Sequence, residues 1–90
     1  MKREEVYKVI DTERDYQIEM TKNNDRPDMI DDLHLGDSLS AIEHILSEAR
    51  KEWYKGSTPY QNSMDYIRKI SGLCVQLGEK YGMPERKIKK

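Results

Sequence analysis

The chain has no phenylalanine, only one cysteine, and no apolar run of membrane-spanning length. Cys74 alone cannot form an intrachain disulfide, and so low a cysteine content is typical of a reducing cytoplasm. The N-terminal stretch "MKREEVYK" lacks the apolar core that a signal peptide carries. We therefore expect a soluble cytoplasmic protein without a membrane partner.

The chain also has no large excess of positive or negative charge. The 16 basic residues are balanced by 17 acidic ones, which leaves a net charge of −1. A protein whose main partner is duplex nucleic acid carries a basic face, so we do not expect duplex nucleic acid as the partner. Basic residues are concentrated in a C-terminal tail, residues 83–90. Ninety residues correspond to one domain, 1–90, small enough that its core alone gives marginal stability.

Apolar spacing and turn residues predict three helices and no strand, at about residues 3–21, 36–54 and 59–81. The turn formers of "NNDRPD" end the first helix. Ser57 or Thr58 serves as N-cap of the third helix with Pro59 just inside it, and Gly82 ends it. We expect an all-α fold in which the N-terminal helix packs on an antiparallel two-helix hairpin.

The second helix has an apolar seam whose members are three or four residues apart. They are Leu35, Leu39, Ile42, Leu46, Ala49 and Trp53. Such spacing predicts a packing face.

The third helix carries apolar residues over roughly 200° of its circumference, against about 100° for an ordinary surface helix. Gly72 and Gly78 are interleaved among them and would let another helix approach closely. We interpret this surface as a site of self-association that gives a homodimer or homotetramer. A crowded core of three helices from one chain is the alternative.

Two polar residues, Glu13 and Gln17, lie in the middle of the apolar stripe of the first helix, within "VIDTERDYQIEM". A buried carboxylate must be paired, because leaving it bare costs several kcal/mol. One interpretation is a Glu13–Arg68 salt bridge between helices. The other is a pocket in which arginines bind phosphate, tyrosine stacks on a base, Gln17 reads a base edge and His34 lies at the rim. The candidate ligand-binding residues are Arg14, Tyr16, Gln17, His34 and Arg68.

Signals for catalysis and metal binding are weak. The stretch "DDLHLGD" places Asp31, Asp32, His34 and Asp37 together, but it matches no EF-hand or zinc spacing. We interpret these residues as turn and cap residues. Cys74 has no histidine nearby in sequence, so it is expected to be a core residue. No catalytic residue, metal or cofactor is predicted.

Three segments, "ERDYQ", "DDLHLGDSLSAI" and "RKISGLCVQLGEKYGMPER", resemble a group of small phage and prophage proteins. The group shares an ERxYQ helix, a histidine-containing Gly-Asp entry to the second helix, and a third helix that closes on GxPxR. The resemblance extends from about Val6 to Arg86. The same order of motifs is more distantly similar to the MazG-like all-α nucleotide pyrophosphohydrolases.

The MazG-like enzymes hold Mg²⁺ with clustered carboxylates. Here Glu43 and Glu48 are five residues apart, and "DYIRK" places Arg68 and Lys69 where acidic ligands belong. Hydrolysis is therefore not expected, although a nucleotide pocket could persist with basic residues in place of the metal.

Within the phage group the chain is similar to the anti-CBASS sponges, small helical oligomers that sequester cyclic dinucleotides made by bacterial immune cyclases. This resemblance implies a ligand of the 3′,3′-cGAMP type, held between subunits without catalysis. Two alternatives stay open. One is a degenerate MazG-like nucleotide pyrophosphohydrolase, and the other is a phage protein that inhibits a host factor by protein–protein contact.

Overall fold

The computed structural model describes residues 1–23, 34–56 and 60–88. This part of the chain forms three helices and no strand: α1, Arg3–Asn23; α2, Leu35–Tyr54; and α3, Gln61–Tyr81. The predicted all-α fold of three helices is confirmed for these residues. The predicted cap residues Ser57, Thr58 and Pro59 lie outside them. None of the described helices combines the length and apolar character needed to cross a bilayer.

Local sequence signals explain where the helices begin and end. Glu4 and Glu5 lie in the first turn of α1, where the helix dipole favours negative charge. In α2, Asp37 accepts a hydrogen bond of 3.1 Å from the backbone N–H of His34, which is one half of a capping box. After α3, Gly82 adopts a φ of +77°, a conformation that a residue with a side chain rarely takes.

The third helix is the centre of the fold, because both α1 and α2 pack against α3 and barely contact each other. In the α2–α3 hairpin, the Ser63 hydroxyl near the start of α3 donates a 2.9 Å hydrogen bond to the Ala49 carbonyl near the end of α2. The two helices therefore run antiparallel. Two helices of the same chain share the wide apolar surface of α3, while self-association through α3 stays a prediction.

The seam predicted on α2 meets α3 at one edge, through Ala49. Ser38 and Ala49 are the buried residues of α2, and Ala49 is the only buried apolar residue in the described chain. Most of the seam is between 46% and 54% exposed, namely Leu35, Leu39, Leu46 and Trp53. At 100° per residue these four lie roughly 65° around the helix from Ser38 and Ala49. The predicted seam thus contributes Ala49 to the packing against α3, while the role of its larger side chains in packing stays a prediction.

Candidate ligand-binding groove

A groove of about 300 Å³ lies between α1 and α3. It is lined by Thr12, Glu13 and Tyr16 from α1 and by Arg68 and Lys69 from α3. Thr12 and Tyr16 are one helical turn apart, so they face the same direction. The crossing of the two helices thus brings an aromatic ring and two cationic side chains around one opening.

Glu13 is the buried acid of this groove, with only 6% of the residue exposed. Its Oε1 accepts a 2.9 Å hydrogen bond from Arg68 Nε, and its Oε2 accepts one of 3.2 Å from Gln17 Nε2. The Glu13–Arg68 salt bridge considered from the sequence is therefore present. The hydrogen bond that the guanidinium donates to Glu13 is the main cause that raises the pKa of Arg68 above its ordinary value. The hydrogen bond to Asp65 raises this pKa further.

Arg68 is held by Glu13 on its buried side and by Asp65 at the surface. Arg68 Nη1 donates a 2.7 Å hydrogen bond to Asp65 Oδ1, and about half of the Asp65 side chain is exposed. An exposed pair of this kind contributes little to stability. A phosphate can therefore replace Asp65 at modest cost while Glu13 keeps the guanidinium, with its further N–H donors, in place.

Gln17 connects α1 to α3 instead of facing into the groove. Its amide nitrogen donates to Glu13 and also, at 3.1 Å, to the backbone carbonyl of Lys69. Its Oε1 is buried and has no hydrogen-bond partner within the described residues.

Gly72 lies directly against this contact. A Cβ atom built there would be 2.7 Å from Gln17 Nε2 and 2.9 Å from Glu13 Cγ. The close approach that the sequence predicted for a glycine of this helix is thus made at Gly72, and the approaching helix is α1 of the same chain.

The other two predicted residues are not brought to the groove. Arg14 Nε forms a 2.7 Å ion pair with Glu79 Oε1, which lowers the pKa of Glu79. Glu79 follows Arg68 by eleven residues, about 16 Å along α3 at 1.5 Å per residue. His34 is exposed where α2 begins, and its side chain does not line the groove.

Lys69 and Thr12 also line the groove, although neither was predicted from the sequence as a ligand-binding residue. Lys69 Nζ lies 4.8 Å from the centroid of the Tyr66 ring, a cation–π contact that orients the side chain. The signal for Lys69 was its position directly after Arg68. In the comparison with the MazG-like enzymes, Lys69 counted only as a basic residue where an acidic metal ligand belongs. Thr12 could have been found because it precedes Tyr16 by one turn.

The described residues contain no group of three or more His, Cys, Asp or Glu side chains that could hold a metal ion. Of the acidic stretch before α2, Asp31 and Asp32 lie outside the described residues. Asp37 accepts the hydrogen bond that caps α2, in agreement with its predicted role.

Comparisons with protein-family models, with curated proteins and with solved structures find no match to this chain. The groove is therefore interpreted from its own chemistry. An anchored guanidinium, an ammonium group and an exposed tyrosine ring suit a ligand that carries both phosphate and an aromatic base.

Proposed function

We propose that this is a phage-encoded immune-evasion protein that binds a cyclic dinucleotide of the 3′,3′-cGAMP type and sequesters it without hydrolysis in the host cytoplasm. The observation that carries the proposal is the groove where Tyr16, Arg68 and Lys69 surround one opening. Cations bind the phosphodiester oxygens, and a tyrosine ring offers a face on which a base stacks. The resemblance to the anti-CBASS sponges supports the same ligand class.

The size of the groove favours a ligand shared between subunits. Its volume of about 300 Å³ is at the low end of small-molecule sites, which span roughly 300–1,000 Å³. One groove can cover a phosphate and one base, which is half of a cyclic dinucleotide, and a second protomer would cover the other half. Met64 and Ile67 are exposed on α3 beside Arg68, which supports self-association through α3 next to the ligand.

The charges around the groove support binding without catalysis. Glu13 is the one acid among the described residues that line the groove, and it is engaged by Arg68 and Gln17. No carboxylate of the described lining is therefore free to activate a water for attack on the phosphodiester, which supports binding without hydrolysis. In this proposal Glu13 and Gln17 position Arg68.

Arg14 and His34 stay sequence-based predictions. Because both lie away from this groove, they would contact the ligand only from a second protomer.

Replacing Tyr16 or Lys69 by alanine should weaken binding of 3′,3′-cGAMP at least about tenfold, or about 1.4 kcal/mol, as measured by titration calorimetry. Tyr16 is 58% exposed and the Lys69 side chain lies at the surface, so the melting temperature should change little. Arg68 is a poorer choice for this test because its loss would strand the buried Glu13 carboxylate.

Tyr7→Ala and Lys8→Ala are the matched controls, since they remove the same side-chain types from exposed positions of α1 outside the groove. Both should bind like the wild type.

A ligand at 100 times its dissociation constant adds about 2.7 kcal/mol of stability, so binding should also raise the melting temperature. Wild-type protein without such a shift, or unchanged affinity in both groove variants, would contradict the proposal.

A further inference from the structure

The outward surface of α2 carries a straight apolar row that no other part of the described chain covers. Leu39, Leu46 and Trp53 recur every seven residues and are 50%, 46% and 54% exposed. Seven residues make nearly two full turns, so these side chains lie one above another along the helix. Beside the row lies an open groove of about 360 Å³, whose walls include Glu43, Leu46 and Arg50.

The charges that flank the row have no partner in the described part of the chain. Glu43 and Arg50 are exposed, seven residues apart, and make neither a hydrogen bond nor an ion pair there. Their neighbours on α2 differ, since Glu48 pairs with Lys51 at 3.1 Å and Glu52 pairs with Lys55 at 3.0 Å. One unpaired acid and one unpaired base therefore repeat the seven-residue spacing of the apolar row.

We infer that this row is an interface with a second copy of the chain, in which the two α2 helices pair antiparallel around a two-fold axis at Leu46. That axis sets Leu46 against its own copy and Leu39 against Trp53 of the partner subunit. It also sets Glu43 beside Arg50 of the partner subunit, and symmetry makes each contact twice.

The charges favour a second copy of the chain as the partner, and they favour the antiparallel orientation of the two α2 helices. Glu43 and Arg50 lie on the same side of the row, so a parallel pairing would place the charges of the copy on the opposite side and leave both residues unpaired, whereas the antiparallel pairing joins opposite charges. The row is thus complementary to itself, as a two-fold interface requires. The chain also gains from the contact, because Ala49 is the only buried apolar residue in its described part.

This interface is independent of the proposed dinucleotide function and of self-association through α3. If both surfaces pair around two-fold axes, the assembly is a tetramer, and if only the α2 row pairs, it is a dimer.

The test is sedimentation velocity on the full chain without nucleotide. Glu43→Arg and Arg50→Glu each set like charges against one another, so each should halve the assembled mass at micromolar concentration. The double variant Glu43→Arg with Arg50→Glu exchanges the two signs and should restore the wild-type mass. A folding defect cannot produce that rescue, and circular dichroism of each variant records the helix content.

A cysteine placed on the axis gives a second readout. Leu46→Cys should form a disulfide-linked dimer on mild oxidation, whereas Ser40→Cys, on the far side of α2, should not exceed the wild type with its native Cys74. A monomeric wild type, a double variant that fails to reassemble, or equal crosslinking of the two cysteine variants would overturn the inference. Because no nucleotide is present, each of these results would leave the ligand groove untested and the two proposals distinguishable.

Discussion

At the scale of single residues, two glycines of α3 that look equivalent in the sequence have different surroundings. A Cβ atom at Gly72 would come within 2.9 Å of both Glu13 and Gln17, the residues that position Arg68. A Cβ atom at Gly78 would meet only the Met83 side chain, at 3.5 Å, which is an ordinary contact. A side chain at Gly72 would therefore force Glu13 and Gln17 to shift, whereas one at Gly78 would not.

The two alanine variants should consequently shift stability in opposite directions. Gly78→Ala should raise the free energy of unfolding by about 1 kcal/mol, the difference in helix propensity. Gly72→Ala gains the same propensity, but overpacking against Glu13 and Gln17 costs about 1–3 kcal/mol, so a net loss of about 1 kcal/mol is expected. Urea unfolding measures both variants. A shift of the same sign in the two proteins would contradict the role assigned to Gly72.

At the scale of helices, three polar contacts join α1 to α3. Arg68 pairs with Glu13, Arg14 pairs with Glu79, and Gln17 donates to the backbone of α3. By contrast, α2 joins α3 around the buried Ala49 and the Ser63 hydrogen bond. The attachment of α1 should therefore depend on pH more than the hairpin does.

The Arg14–Glu79 pair predicts that the attachment of α1 to α3 weakens as the pH falls. The hydrogen bond from Arg14 lowers the pKa of Glu79 in the folded state, so the unfolded chain binds more protons at acidic pH. The contribution of the pair is fully present above the unfolded pKa of about 4.3 and is lost as the pH falls through the folded pKa. Glu79→Gln should flatten the fall in stability below about pH 4.3, measured by urea unfolding. The control Glu19→Gln, at an exposed position of α1 outside its first turn, should keep the wild-type slope. Equal slopes in all three proteins would contradict the assignment.

The same elements show how far the sequence could predict the structure. Helix existence was predictable because the 3.6-residue period and the turn formers mark it locally, and the Glu13–Arg68 pair followed from the need of a buried acid for a cation. The packing face of α2 was not predictable, since spacing says which residues share a face but not which face meets α3. The position of Arg14 away from Arg68 was likewise not predictable. It results from the ion pair with Glu79, and only the crossing of α1 over α3 brings Glu79 within reach of Arg14.

At the scale of the whole molecule, one chain leaves much apolar surface uncovered. The described residues include 16 exposed large hydrophobic side chains, and only Ala49 is an apolar residue in the core. A fold of this kind gains stability when copies cover the apolar surface, and a ligand bound in the groove between α1 and α3 would add to that stability.

The most direct test of the central claim is recovery of the ligand. The protein is mixed with 3′,3′-cGAMP and Mg²⁺, unbound nucleotide is removed by ultrafiltration, and the retained complex is denatured for mass spectrometry. If the protein sequesters the nucleotide, the nucleotide is retained with the protein and is released with its mass unchanged. Nucleotide that passes freely through the filter, or that emerges as a linear hydrolysis product, would contradict sequestration without catalysis.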